Sequence, residues 1–164
     1  VGLPLAALAL HAGGAMGLSA TAIGWLIGSQ SLTTVLTRHQ AGTLSDTRGA
    51  KTAVLCGLPL AVLAAGCYLL SVLSWPLAPS ARLALPMLVA GRLLLGLGES
   101  LFITGAMSWG ISRLGAARTG QVMAWQGIAM YAAMGAGAPL GLAIQRGYGF
   151  GGVALAAMSA PLVA

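Results

Sequence analysis

This sequence has very little charge. Only 6% of its 164 residues are charged, and only two of them, Asp46 and Glu99, are acidic. A soluble domain carries about a quarter charged residues. A surface this poor in charge cannot be wetted, so the solvent for most of the chain is lipid. With two acids and two poorly placed histidines, His11 and His39, no aspartate pair, Ser/His dyad or HExxH can be assembled within helices. That excludes an intramembrane enzyme. Cysteine is equally sparse. Cys56 and Cys67 fall eleven residues apart on one expected helix, roughly 16 Å at an α-helical rise, too far for a disulfide. No CxxC or Cys/His spacing exists, so neither a metal nor a cofactor is expected. The start lacks the basic region and cleavage site of a signal peptide. Val1 in place of Met, and a stop inside the apolar run 155–164, mark an expected fragment.

What is present is apolar surface and glycine. Hydrophobic residues make up 58% of the chain, and 25 residues are Gly. At about 20 apolar residues per crossing there is room for five or six transmembrane helices with short links. Small residues are ordinary in such bundles, where they let backbones approach. The net charge of +6 comes from basic residues scattered singly or in small groups between apolar runs. That is a topology signal and not a phosphate-tracking stripe, which excludes nucleic acid as a partner.

The expected order begins with the end of one helix (1–10) and a Gly-rich link (11–19). A second helix (20–37) closes at Arg38 and His39, and a polar link follows through Lys51. A third helix spans 52–73, a Trp75–Ser80 link breaks it, and a fourth covers 83–111. A short basic link (112–118), a fifth helix (120–144), a turn at 146–149 and the start of a sixth helix at Phe150 complete the chain. Arg38, Arg48, Lys51, Arg113 and Arg118 fall on one side, against Arg82 and Arg146 on the other. The positive-inside rule makes links 38–51 and 112–119 cytoplasmic. Trp25, Trp75, Trp109 and Trp125 lie near helix ends, as interfacial belts require.

Arg92 and Glu99 stand inside the fourth helix. An intramembrane charge costs about 2.5–3.5 kcal/mol on insertion scales and points to function. Seven residues apart, they share a face but stand roughly 10 Å apart along it. Water, substrate or a group on another helix must therefore serve one or both. Burial favours the acid form of Glu99 and a nearby cation favours its carboxylate, the setting of a protonatable group. Gln30, Gln126 and Tyr131 are polar groups that lipid rejects; each either lines a cavity or hydrogen-bonds between helices. Gly24 and Gly28 form an expected helix-packing face. Gly42 and Gly49 are placed for close approach and a turn. Asp46 is placed to cap the third helix.

Three stretches resemble the major facilitator superfamily. Gly42-Thr43-Leu44-Ser45-Asp46-Thr47-Arg48-Gly49-Ala50-Lys51 is similar to its signature loop between the second and third helices. It agrees at Gly42, Leu44, Asp46, Gly49 and Lys51 and departs at Thr47 and Ala50, where basic residues are usual. Arg92-x-x-x-Gly96-x-Gly98 looks like the family's fourth-helix motif, whose Arg is implicated in proton coupling. Gly135, Gly137, Pro139 and Gly141 resemble part of an antiporter signature. Pro139 removes a backbone hydrogen bond, which suits a hinge or a leak-sealing contact. The stretches 98–102, 107–110 and 120–141 look most like the YhhS-type branch, classed with sugar and drug exporters.

The resemblance implies an all-α polytopic bundle, most of the N-terminal six-helix half of a secondary transporter. A C-terminal half of the same chain would complete the substrate site between the halves. It implies proton-coupled export of a small sugar- or drug-like molecule across a bacterial inner (plasma) membrane. Arg92 and Glu99 would carry coupling, the Asp46 loop (Gly42, Asp46, Arg48, Gly49, Lys51) would gate, and lipid, substrate and protons would be the partners. A transport-inactive receptor or assembly protein on the same fold is the alternative.

Overall fold

Backbone in lipid must satisfy its own hydrogen bonds, so apolar runs here fold as helices and break only at glycine or polar links. A computed structural model describes residues 2–74 and 81–163, with side chains described throughout these except at 81–83, 162 and 163. The Trp75–Ser80 link and the Arg82 side chain lie outside the described residues. In chain order the helices are α1 (Gly2–Gly14), α2 (Ala20–Leu36), α3 (Arg38–Arg48), α4 (Ala50–Ser74), α5 (Ala81–Leu114) and α6 (Thr119–Val163). Among the described residues, three spans have the length and apolarity to cross a membrane: Ala50–Ser74, Ala84–Leu114 and Ala116–Pro161.

The last of these is two legs. Gly149, at φ 69° and ψ −175°, interrupts the helical backbone of α6. Met130, Ala133 and Pro161 line one common cavity. In an unbroken helix residues so far apart in sequence would stand more than about 40 Å apart. The chain therefore reverses at Gly149, and legs 119–148 and 150–163 lie side by side. The expected four-residue turn at 146–149 is a single glycine in a conformation that L side chains rarely adopt.

The expected polar link after α2 is helix as well. Thr37 departs only mildly from helical geometry (φ −93°, ψ 0°), and the Ala41 N–H donates to its carbonyl at 3.0 Å. α3 thus continues α2 past Leu36 and stops only at Gly49, where φ is 93°. Asp46 lies inside α3 and is exposed, so it does not cap α4, which opens after Gly49. Gly42 has no neighbour within 4 Å of an added Cβ, so it serves no close approach. α1 runs on to Gly14 and takes His11 into its last turns, and α5 runs on to Leu114.

Packing is set by glycine. On α5, Gly91, Gly98 and Gly105 recur every seven residues and share one face. A Cβ at Gly98 would stand 2.9 Å from the Gly57 oxygen, one at Gly57 2.7 Å from the Gly98 oxygen, and one at Gly105 2.8 Å from the Ala50 oxygen. The Tyr68 ring occupies the same space at Gly91. The partner numbers fall as the α5 numbers rise, so α4 and α5 are antiparallel, backbone against backbone. Gly137 and Gly141 seat α6 on the α1 backbone at Gly2 and Leu3 in the same way. Gly24 and Gly28 do not act so. They are exposed with nothing within 4 Å of an added Cβ, and among the described residues no helix packs there.

The apolar core gathers at the end of the bundle opposite the basic links. Leu8, Leu26, Tyr68, Leu88, Phe150 and Val153 meet there from five helices. His11 stacks on Phe150 with ring centroids 4.6 Å apart and planes 7° apart. Trp25, Trp109 and Trp125 point outward, as do Leu32, Val35 and Ile128. That surface is the lipid- or partner-facing exterior of a membrane bundle.

Candidate functional site

The buried polar centre lies where α2 meets α5. Gly96 makes it possible, because an added Cβ there would strike the Gln30 carbonyl and would stand 3.0 Å from the Thr33 Cβ. With only hydrogen at that position, α2 comes close enough to insert Gln30 between Arg92 and Glu99. Arg92 is 0% exposed and Gln30 5%. Arg92 Nη1 donates to Gln30 Oε1, and Gln30 Nε2 donates to Glu99 Oε2 at 2.8 Å. The two charges, too far apart along α5 to pair directly, are joined through one carboxamide from another helix.

Thr34, one turn beyond Gln30, completes the cluster. Its hydroxyl lies 3.0 Å from the Gln30 carbonyl, 3.1 Å from the Gly96 carbonyl and 3.4 Å from Glu99 Oε2. On the other side of Arg92, its Nε and Nη2 and the Tyr68 hydroxyl are buried without hydrogen-bond partners. A fully buried guanidinium held by one bond is expensive to maintain by burial alone.

Glu99 has a second face. It lines a cavity of about 420 Å³ between α4, α5 and both legs of α6. The rest of the wall is apolar (Leu58, Leu95, Phe102, Ile103, Met130) except for Gln126. Gly57, Ala106 and Gln126 lie seven or eight residues from the helix ends that carry the basic links, about 10–12 Å in. The cavity therefore sits toward the basic end, and the apolar core closes the other.

Of the residues singled out in the sequence, the structure brings together Arg92, Glu99 and Gln30, and gives Gln126 to the cavity. Gln30 lies in the helix–helix cluster and not in the cavity wall. Tyr131 is 70% exposed, away from both. Asp46, Arg48, Gly49 and Lys51 are exposed at the α3–α4 junction, with Gly42 half-buried nearby in sequence. Gly137 and Gly141 are buried against α1, whereas Gly135 and Pro139 are exposed. Thr34 and Tyr68 were missed. Thr34 carries a local signal, a hydroxyl one helical turn from a glutamine on the same face. Tyr68 carries none apart from its place in an apolar helix.

A chain-wide resemblance accompanies this geometry. An uncharacterized MFS-type transporter of Burkholderia mallei is 45% identical over 146 residues, which is 89% of this chain and 35% of that protein. One from Burkholderia pseudomallei matches to the same extent. One from Salmonella typhimurium is 38% identical over 164 residues, 100% of this chain and 42% of that protein. The chain thus spans well under half the length of the curated relatives it matches. No solved structure matches it. The family model for the Major Facilitator Superfamily matches residues 1–164, and the chain belongs to that superfamily of membrane transporters, not to a family of enzymes.

Proposed function

We propose that the chain is most of the N-terminal half of a proton-coupled exporter in a bacterial inner membrane, working by alternating access against a C-terminal half. The observation that carries this is the double placement of Glu99. One side of it is tied through Gln30 to a buried cation, and the other faces a cavity that sits toward the basic, cytoplasmic end. A carboxyl so placed can take a proton or face a substrate, and Arg92 is the fixed charge against which either is felt. The apolar wall suits an amphipathic, drug-like molecule better than a sugar, whose hydroxyls would need partners the wall does not supply. A cationic amphiphile would compete with the proton for the Glu99 carboxylate, which is the exchange an exporter driven by a pH gradient requires.

At the basic end, the short α3–α4 junction with Asp46, Arg48, Gly49 and Lys51 serves as the gate, with Gly49 as its pivot. The Gly137/Pro139/Gly141 stretch, seated on α1, serves as the hinge or seal. The test uses the complete protein in everted membrane vesicles, with a fluorescent lipophilic cation as probe. Glu99→Gln abolishes uptake driven by the pH gradient while the protein remains in the membrane. Undiminished uptake overturns the role of Glu99.

A further inference from the structure

The orientation of the Gln30 amide follows from chemistry. A guanidinium has donors and no acceptor. Gln30 must therefore turn Oε1 to Arg92, which leaves Nε2 to face Glu99. Gln30 is locked as a donor toward Glu99, and a donor of that kind stabilises a carboxylate.

Thr34 has the opposite bias. Its hydroxyl has one proton, and two backbone carbonyls at 3.0 and 3.1 Å are nearer than Glu99 Oε2 at 3.4 Å. With the proton spent on a carbonyl, Thr34 presents a lone pair to Glu99. Lone pair against carboxylate is unfavourable, which accounts for the longer distance. Lone pair against a carboxylic acid O–H is a hydrogen bond. The remaining surroundings do not reverse these biases. α4 brings Tyr68 to the Arg92 side of the network. α6 presents Gln126 and no ionisable group to the cavity, and α1 presents Gly2.

We infer that Gln30 and Thr34, neighbours on one face of α2, are positioning residues that hold opposite protonation states of Glu99: Gln30 the carboxylate, Thr34 the acid. This rests on the proposed role of Glu99 as the proton site. When a proton from cavity water bonds to the carboxylate, Gln30 loses its charged acceptor and Thr34 gains a donor. The grip of α2 on α5 shifts from one residue to the other, one helical turn nearer the basic end. Proton uptake is thereby converted into a change in how two helices are held.

The test needs no substrate. The full-length protein in lipid is titrated by infrared difference spectroscopy of the protonated carboxyl stretch, and Glu99→Gln identifies the band of Glu99. Gln30→Met, of similar shape and without the donor, moves the midpoint of that band upward by about one to two pH units, the size of one hydrogen bond to a charged group. Thr34→Val moves it downward by about half to one unit, and Thr34→Ser leaves it in place. Shifts of the same sign, or none, overturn the inference. Should Gln30→Met not fold, the Thr34 pair decides alone. If no band disappears in Glu99→Gln, the proton role of Glu99 itself is wrong, a different failure from an unmoved midpoint.

Discussion

At the scale of single residues, Arg92 is a costly group to bury. It is 0% exposed, and two of its nitrogens are buried without partners. A buried ion pair replaced whole by apolar residues of similar volume is often neutral or stabilising, by up to about 4 kcal/mol, and a buried guanidinium with two unpartnered nitrogens carries the same desolvation cost. Against this, Arg92→Met orphans Gln30 Oε1, a loss of about 1–3 kcal/mol. The two effects nearly offset. Arg92→Met should keep the melting temperature of the full-length protein in detergent within a few degrees of wild type, while gradient-driven transport is lost. A collapse in stability would make Arg92 a structural strut and remove the case for a charge kept for function.

At the scale of elements, glycine decides which helices touch. Gly98→Val places two methyl groups against the Gly57 carbonyl, where backbone and not a flexible side chain stands in the way. Overpacking of this kind costs about 1–3 kcal/mol. Gly66, with nothing within 4 Å of an added Cβ, is the contrast: Gly66→Ala should be neutral or stabilising by up to about 1 kcal/mol through helix propensity. Thermal unfolding of the two variants should therefore move in opposite directions or leave Gly66→Ala unmoved. If both lose stability equally, the seam is not specific.

The same elements show what a sequence discloses. The apolar runs of α4 and α5 were legible because hydropathy and breaks are local. α3 was not, because its polar composition reads as a loop; it is helical as a continuation of α2 that packs on α4 and α5. The turn at Gly149 was overestimated, since nothing local says that one positive-φ glycine suffices. Arg92, Glu99 and Gln30 were each conspicuous as polar groups in an apolar helix. Their joining was not, because it depends on the register of α2 against α5, which Gly96 sets at long range.

At the scale of the whole molecule, the positive-inside rule makes the end with more basic residues the expected cytoplasmic side. α3 and the α3–α4 junction carry Arg38, Arg48 and Lys51, and the α5–α6 junction carries Arg113 and Arg118. The Gly149 reversal, with Arg146 beside it, lies at the end where His11 stacks on Phe150. Thr47 and Gly147 are both exposed, uncharged and at opposite ends, so cysteine at either leaves the topogenic charges intact. With Cys56 and Cys67 replaced by serine in the full-length protein, a membrane-impermeant maleimide applied to intact cells should label Gly147→Cys and spare Thr47→Cys. Permeabilised cells should show both. The reverse pattern would turn the molecule over, and the cavity, closed by core at the Gly149 end, would then face outward. Glu99 would meet its substrate from outside, and the chemistry that here supports export would support uptake instead.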